Sequence, residues 1–178
     1  EKQKNLNLLL NAFAMFSKIY PNSKLKIIGG ILKSKENNNS YLHALNKQCE
    51  NLLISNKVEI TGLVNNVEEH LKNCNCYIHP SAREGMPRSL LEAMSMGKVV
   101  IASNIRGARE IVDDRIDGFL FDLNVKNDLF IKMSDVYNLS GEELKIIIKK
   151  ARIKIEKNYN QKRYLNLQLN SIVKLLNE

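Results

Sequence analysis

The sequence is poor in the residues that several classes of binding protein and secreted protein require. It has no tryptophan, aromatic residues make up 6% of it, and it contains three cysteines. Proteins that hold single-stranded nucleic acid stack bases on aromatic side chains, and helix-turn-helix or zinc-finger spacing is also missing. Nucleic acid is therefore not an expected partner. Three cysteines form no disulfide framework, which favours a reducing compartment and a cytoplasmic location.

Long apolar runs and a dinucleotide fingerprint are missing as well. No run approaches the ~20 apolar residues that cross a bilayer, and no signal peptide is visible at the start of the sequence. A strand-like segment ends at Gly29-Gly30, but no G-x-G-x-x-G pattern is present, which argues against a nicotinamide-dependent oxidoreductase. Peripheral contact with the inner face of a membrane stays open as an alternative to a purely cytoplasmic location.

What the sequence does have is an excess of positive charge. It contains 27 Lys and Arg against 19 Asp and Glu, which gives a net charge of +8 and a pI near 9.4. Such a charge favours an anionic partner. Nucleic acid, acidic lipid and phosphate-bearing substrates all meet this condition. A basic nucleic-acid or phospho-ligand binding module without catalysis is therefore the alternative to an enzyme.

Strand-like and helix-like segments alternate along most of the chain, and the 178 residues fit one domain. The alternation predicts an α/β fold with a doubly wound parallel sheet, followed by extra helices after Asp122. Ligands of such sheets bind beyond the carboxyl ends of the strands. The predicted strands are 25–28, 58–61, 75–79, 99–102 and 119–121; the predicted helices are 6–19, 41–53, 67–71, 89–96, 107–112, 125–137, 141–157 and 161–177; residues 31–40 are a predicted loop.

The most informative stretch is a predicted strand, loop and helix over residues 75–96. The strand stops at Pro80, Gly85 gives the loop backbone freedom, and Pro87 lies where proline favours a helix start. Good helix formers then continue to Gly97, a helix stop. The first amide groups of such a helix are unpaired, and the helix dipole is positive there. This stretch therefore predicts an anion site at the start of the helix.

Two glutamates flank the predicted anion site. The backbones of Glu84 and Glu92 are separated by roughly 8–12 Å along the helix axis, and the Glu92 side chain leans towards the helix start. A nucleotide-sugar has hydroxyl groups at both ends and phosphate in the middle, which suits this layout. The alternative is an ordinary surface pair between Arg88 and Glu92, or two glutamates that only offset the helix dipole.

The cysteines near this stretch have two possible roles, as metal ligands or as buried residues. Cys74, Cys76 and His79 are close together in the sequence, but structural zinc usually takes four ligands, and no second cluster is present. Cys76 is expected to face the core, and no metal is predicted.

Five blocks of sequence stand in a recognisable order. They are Thr61-Gly62, Glu84-Gly-Met-Pro-Arg-Ser-Leu-Leu-Glu-Ala-Met94, Gly97-Lys-Val-Val-Ile-Ala-Ser103, Gly107-Ala-Arg-Glu-Ile-Val112 and Asp117-Gly-Phe-Leu120, with Lys4-Asn5 upstream. With these blocks the chain resembles the retaining glycosyltransferases of family 4, which have the GT-B fold and carry two glutamates separated by seven residues, here Glu84 and Glu92.

The resemblance implies a role for each matching residue. Glu84, the catalytic residue, would bind hydroxyl groups of the transferred sugar, and Glu92 would bind those of the ribose. Lys4 and Arg88 would face the diphosphate. The turn that ends at Val64 would border the base through its backbone. Further contacts to sugar and phosphate would come from Gly85, Met86, Pro87, Ser89 and Leu90.

The resemblance also implies the domain, the donor and the acceptor of the reaction. It is expected to be a Rossmann-like, donor-binding half, residues 1–178, of a hexosyltransferase. That enzyme would move sugar from a UDP-sugar to a bacterial surface glycan or glycolipid with retention and without metal. The family's N-terminal acceptor domain and a Gly-Arg pair before Lys4 are expected to be absent, and the isolated fragment is expected to be inactive. The helix at 161–177 would cross back to that domain.

The predicted helix at 141–157 carries a group of basic residues with two possible roles. Its residues Lys145, Lys149, Lys150, Arg152 and Lys154 form either a solvated face or a membrane-binding one.

Overall fold

A computed structural model describes residues 2–29 and 38–159 of the chain. Seven α-helices and five β-strands alternate in it, with short 3-10 turns at Lys2–Lys4 and Ser55–Lys57. In chain order these elements are α1 Leu6–Ile19, β1 Leu25–Ile27, α2 Asn38–Asn51, β2 Val58–Ile60, α3 Val67–Lys72, β3 Cys76–His79, α4 Arg88–Ser95, β4 Val99–Ser103, α5 Arg106–Arg109, β5 Phe119–Phe121, α6 Asp128–Tyr137 and α7 Gly141–Asn158.

Every strand pairing within the sheets is parallel. β1 pairs with β2, and β4 lies between β3 and β5 in a three-stranded sheet. In the register of the second sheet, Ile101 stands opposite both Ile78 of β3 and Phe119 of β5. All five residues of β4 are buried, as is typical of a parallel strand with helices on both faces.

Alternate residues of β4 enter two separate cores. Val99 and Ile101 join a cluster that contains residues of α1, α2, β1, β5 and α6. Val100 and Ala102 join a second cluster with residues of α4, α5 and α7. Helices thus cover both faces of the sheet, which confirms the predicted doubly wound α/β fold with parallel strands.

The α4 helix has clear sequence-encoded ends. Its N-cap is Pro87, whose φ of −75° suits a helix start. The helix ends shortly before Gly97, whose φ of +70° is in the left-handed region that glycine adopts without strain. Leu90 and Met94 on one side of α4 are fully buried in the second core. The helix is therefore fixed in place with its first turn directed at the loop after β3.

Most differences from the sequence prediction are shifts of helix ends. α2 begins at Asn38 and ends before Leu53, whose φ of +57° breaks the helix. α6 begins three residues later than predicted, because Asn127 adopts a left-handed φ of 63° and Asp128 accepts a hydrogen bond from the backbone of Asp122. The predicted helix at 161–177 and most of the predicted loop at 31–40 lie outside the described residues.

Within residues 2–29 and 38–159, no helix combines the length and apolar character needed to span a bilayer.

Candidate functional site

The loop after β3 is packed between two neighbouring segments of backbone. The Ser103 hydroxyl, at the end of β4, donates a hydrogen bond to the carbonyl oxygen of Ser81. On the other side, the Gly107 backbone comes so close that a Cβ atom there would lie 2.1 Å from the Gly85 carbonyl oxygen. The loop is therefore held at the carboxyl ends of β3 and β4, the edge at which parallel sheets bind ligands.

The turn before α1 is attached to the same loop. The Ala82 amide donates to the Gln3 carbonyl oxygen over 2.9 Å, and the Gln3 side chain donates to the Arg83 carbonyl oxygen. The Lys4 ammonium then donates to Glu84 Oε1 at 2.6 Å. These successive contacts hold Lys4 and Glu84, two of the predicted site residues, side by side.

The electrostatics of Glu84 follow from this pairing. The hydrogen bond from Lys4 is the main cause that holds the pKa of Glu84 below its ordinary 4.5, and the small amount of burial acts in the opposite direction. Ser81 contributes a longer hydrogen bond, 3.4 Å from its hydroxyl to Glu84 Oε1. Glu84 is thus an ionised carboxylate at neutral pH, held in one orientation by a cation.

The first turn of α4 presents a mixed surface to this loop. Arg88 is exposed and Met86 is 58% exposed, so both are accessible to a ligand. Leu90 is fully buried, so neither its side chain nor its backbone is exposed to a ligand, and the structure does not support the predicted contact there. Pro87 is also buried, while Gly85 is exposed.

Glu92 does not form the surface ion pair that the sequence left open. Among the described residues, no ion pair joins it to Arg88. Its exposed side chain instead lines a cleft of about 380 Å³ between α3 and α4. Asn65, which follows Val64 in the turn after β2, lines the same cleft. Glu92 and this turn, both expected to contact the nucleotide, therefore border one cavity.

Tyr77 connects the surroundings of the two glutamates. Its hydroxyl donates to Ser89 Oγ over 2.8 Å. Burial is the main cause that raises the pKa of Tyr77; the Ser89 hydrogen bond opposes it, and the charges of Glu92 and Glu84 add to it. Both carboxylates therefore act on one phenol. The sequence predicts Tyr77 only as a strand residue, although period-two alternation in β3 places it and His79 on one face.

His79 lies beneath the same loop at the end of β3. It is only 4% exposed, and its Nε2 atom is buried without a hydrogen-bond partner in the part of the chain that the structure describes. Burial is the main cause that lowers the pKa of this imidazole, the Glu84 charge raises it, and the Lys4 charge lowers it. The sequence offers His79 only as a possible metal ligand, and its interaction with the Glu84 charge is apparent only in the structure.

The neighbouring cysteines have surroundings that suit a structural role. Cys76 packs against the first core, as expected, and burial raises the pKa of its thiol to about 12. No cluster of three or more potential metal ligands occurs in the part of the chain that the structure describes.

A second group of charged residues fastens α7 to the loop that leads into β5. The Lys154 ammonium lies 2.8 Å from carboxylate oxygens of both Asp113 and Asp117, and Asp117 is 3% exposed. Burial acts to lower the pKa of Lys154, but the hydrogen bonds to the two carboxylates outweigh it and raise the pKa. The sequence placed Asp117 in a recognisable block but gave no sign of its partner in α7.

Known protein families and curated proteins share sequence with this chain. Residues 1–154 match the model of the family described as glycosyl transferases group 1. One curated relative, the N,N'-diacetylbacillosaminyl-diphospho-undecaprenol alpha-1,3-N-acetylgalactosaminyltransferase of Campylobacter jejuni, is 31% identical over 128 residues, which are 68% of this chain and 34% of the relative. The chain spans between about a quarter and two fifths of the curated relatives it matches.

Solved structures share the fold. Anabaena HepE in complex with UDP and glucose superposes with a TM-score of 0.82 at 22% identity, over 98% of this chain and 46% of HepE. The C-terminal domain of the glycosyl transferase group 1 protein LpcC from Francisella tularensis gives a TM-score of 0.80 at 18% identity, over 90% of this chain and 82% of that domain. Because the family model matches residues 1–154, which are most of the chain, the chain belongs to the glycosyl transferases group 1 family.

Proposed function

We propose that this chain is the donor-binding half of a retaining, family 4 glycosyltransferase that takes sugar from a UDP-sugar. The observation that carries the proposal is the meeting of Lys4, Glu84 and the start of α4 at the carboxyl end of β3. At this place, a carboxylate that can bind sugar hydroxyl groups lies beside a cation and a helix start, both of which can bind phosphate. HepE, which has the same fold, was solved with UDP and glucose.

In this proposal each residue has a distinct task. Lys4, Arg88 and the first amide groups of α4 hold the diphosphate and stabilise the charge that develops on it as the sugar leaves. Glu84 accepts hydrogen bonds from sugar hydroxyls and orients the reacting carbon. Glu92 accepts hydrogen bonds from the ribose, and the turn at Val64 lies against the base.

The charge balance supports transfer without a metal ion. A diphosphate carries charge that many enzymes offset with a divalent cation. Here an ammonium, an exposed guanidinium and a positive helix end lie at one edge of the sheet. We therefore expect UDP to bind with the same affinity in EDTA as in magnesium.

The acceptor and the acceptor side of the cleft are also part of the proposal. The Campylobacter relative acts on a sugar carried by diphospho-undecaprenol, which supports a lipid-linked or surface-glycan acceptor at the cytoplasmic face of a membrane. The resemblance to a C-terminal domain supports a donor-binding role for residues 1–178, with the acceptor bound by another domain of the enzyme.

Calorimetry with UDP tests the donor assignment directly. The folded chain is expected to bind UDP and UDP-sugars but not to transfer sugar from a UDP-sugar to an acceptor. Absence of any UDP binding by a chain that is folded by amide NMR would contradict the donor assignment. Sugar transfer by residues 1–178 alone would contradict the division of labour between domains.

A further inference from the structure

The His79 ring has an unused hydrogen-bonding atom next to the proposed sugar-binding carboxylate. Its Nε2 atom is buried and has no hydrogen-bond partner among residues 2–29 and 38–159, and the residue is only 4% exposed. Buried polar atoms are nearly always hydrogen-bonded, so an orphan requires an explanation. The charges of both Glu84 and Lys4 act on this ring. These two charged groups are engaged with each other, since Lys4 donates a hydrogen bond to Glu84.

Glu84 has one strong partner and one weak partner in the ligand-free chain. Lys4 donates to its Oε1 atom at 2.6 Å, whereas the Ser81 hydroxyl is 3.4 Å from the same atom. A diphosphate carries more negative charge than one carboxylate and competes for the Lys4 ammonium. When Lys4 turns to the diphosphate, the weak Ser81 contact is what remains to Glu84 among the described residues, beside a newly arrived anion.

We propose that His79 is a positioning residue that takes over from Lys4: its Nε2–H group donates to the Glu84 carboxylate when Lys4 engages the diphosphate of the donor. This inference rests on the proposed function, because it assigns Lys4 to the diphosphate and Glu84 to the sugar. It explains in one step why Nε2 is unpaired in the ligand-free chain and how Glu84 keeps its orientation when its cation leaves.

The surroundings of His79 suit a neutral donor. Burial lowers the pKa of the ring, so it is uncharged at neutral pH and carries its proton on one nitrogen only. The charged groups that act on the ring are Glu84 from the loop and Lys4 from the turn before α1, while the Tyr77 ring lies at 6.4 Å between centroids. Proton placement on Nε2 gives Glu84 a donor without adding a second cation to the site.

Nitrogen NMR of the imidazole rings tests the handover without any ligand. The sequence has three histidines, so a His79→Gln variant assigns the signal. Lys4→Met removes the competing ammonium, and we expect His79 to show a protonated Nε2 whose proton exchanges slowly with water. Adding Glu84→Ala to Lys4→Met is expected to remove this protection. Lys18→Met, which changes an exposed lysine of α1, serves as the matched control and is expected to leave the His79 signal unchanged.

Two NMR outcomes overturn the proposal. One is a His79 ring protonated on Nδ1 in Lys4→Met. The other is slow exchange of the Nε2 proton that persists when Glu84 is also replaced. Because these spectra need no nucleotide, they decide whether His79 contacts Glu84 even if the wild-type chain binds no UDP, a result that would count against the proposed function instead.

Binding measurements separate positioning from simple core packing. His79→Leu fills the space without a donor, whereas His79→Gln keeps an N–H group. We expect His79→Leu to weaken UDP-glucose binding about tenfold, equivalent to 1.4 kcal/mol, with UDP affinity within about twofold of wild type. His79→Gln is expected to retain most of the UDP-glucose affinity. Equal losses for UDP and UDP-glucose, or equal losses in the Leu and Gln variants, would assign His79 a structural role only.

Discussion

The Lys4 ammonium lies 2.6 Å from Glu84 Oε1, although 80 residues separate them in the sequence. The pair joins the turn before α1 to the loop after β3, so two segments of the proposed donor site are fastened together. Since the two side chains are 47% and 20% exposed, solvent screens the attraction and its contribution to folding is modest. Its main consequence is positional, because it fixes the orientation of Glu84.

The contribution of this pair to stability is expected to depend on pH. Lys4 lowers the pKa of Glu84 below its ordinary 4.5, so the stabilisation is fully present above pH 4.5 and is lost as the pH falls through the folded-state pKa. Lys4→Met is therefore expected to lower the free energy of unfolding by about 0.5 kcal/mol at pH 7 and by less at pH 3. Urea unfolding of both proteins at the two pH values checks this. An equal difference at pH 7 and pH 3 would show that lost packing, not charge, is responsible.

The two glutamates are expected to affect different parts of the donor. Glu92→Gln should weaken UDP and UDP-glucose equally, by about tenfold, since a hydrogen bond to a charged group contributes about 1.5–3 kcal/mol. Glu84→Gln should weaken UDP-glucose more than UDP, because UDP lacks the sugar. Calorimetry with both ligands measures the four affinities. Glu110→Gln is a suitable control, as this exposed glutamate forms a surface pair with Arg106. Equal losses for the two ligands in Glu84→Gln would contradict the assigned role.

The parts of the fold that local sequence patterns encode were predicted well. β4 is a continuous apolar run, and the loop between Pro80 and Pro87 carries its own turn and helix-start signals. The structure confirms both, with β4 fully buried and α4 beginning at Arg88. Helix ends that depend on one left-handed residue, such as Asn127 before α6, were less accurate. Asparagine adopts that conformation only in some contexts, so its position in the sequence is a weak signal.

The contacts that hold the site together could not be predicted from local patterns. Tyr77 forms a hydrogen bond with Ser89, 12 positions along the sequence. The buried, unpaired Nε2 atom of His79 is visible only once the surrounding described residues are placed in three dimensions. Lys154 and Asp117 are 37 positions apart. Each such contact depends on how α4 and α7 pack over the sheet, and one sequence carries no record of that packing. The family resemblance identified the block that contains Asp117 but not its partner.

Removal of Lys154 is expected to destabilise the whole domain. Lys154→Met would leave the Asp117 carboxylate, which is 3% exposed, without its cation, and breaking a buried pair in this way costs about 3–5 kcal/mol. The Asp113 amide still donates to Asp117 at 2.8 Å, so a loss of about 3 kcal/mol is expected. Thermal and urea unfolding measure it. Lys145→Met, which breaks an exposed pair with Glu142, should change stability by less than about 0.5 kcal/mol. Similar losses in both variants would rule out a special role for the buried pair.

Gly107 offers the most direct test of how the loop is held, because its place in the fold allows no side chain. A Cβ atom there would lie 2.1 Å from the Gly85 carbonyl oxygen and 2.7 Å from that of Glu84. Both atoms are backbone, so Gly107→Ala must push the loop away from α5 and with it Glu84. We expect UDP-glucose binding to fall by more than tenfold, since an ångström-scale displacement of a positioned group is sufficient for such losses.

The matched control for this substitution is Gly141→Ala at the start of α7, where a Cβ atom would meet nothing within 4 Å. That variant should bind UDP-glucose as the wild type does and gain slightly in stability, since alanine favours the helix by up to about 1 kcal/mol. Gly107→Ala must also be shown to fold, by amide NMR, so that lost binding is not confused with unfolding. If the folded Gly107→Ala chain binds UDP-glucose normally, the loop tolerates displacement, and the close packing between α5 and the loop is not what positions Glu84.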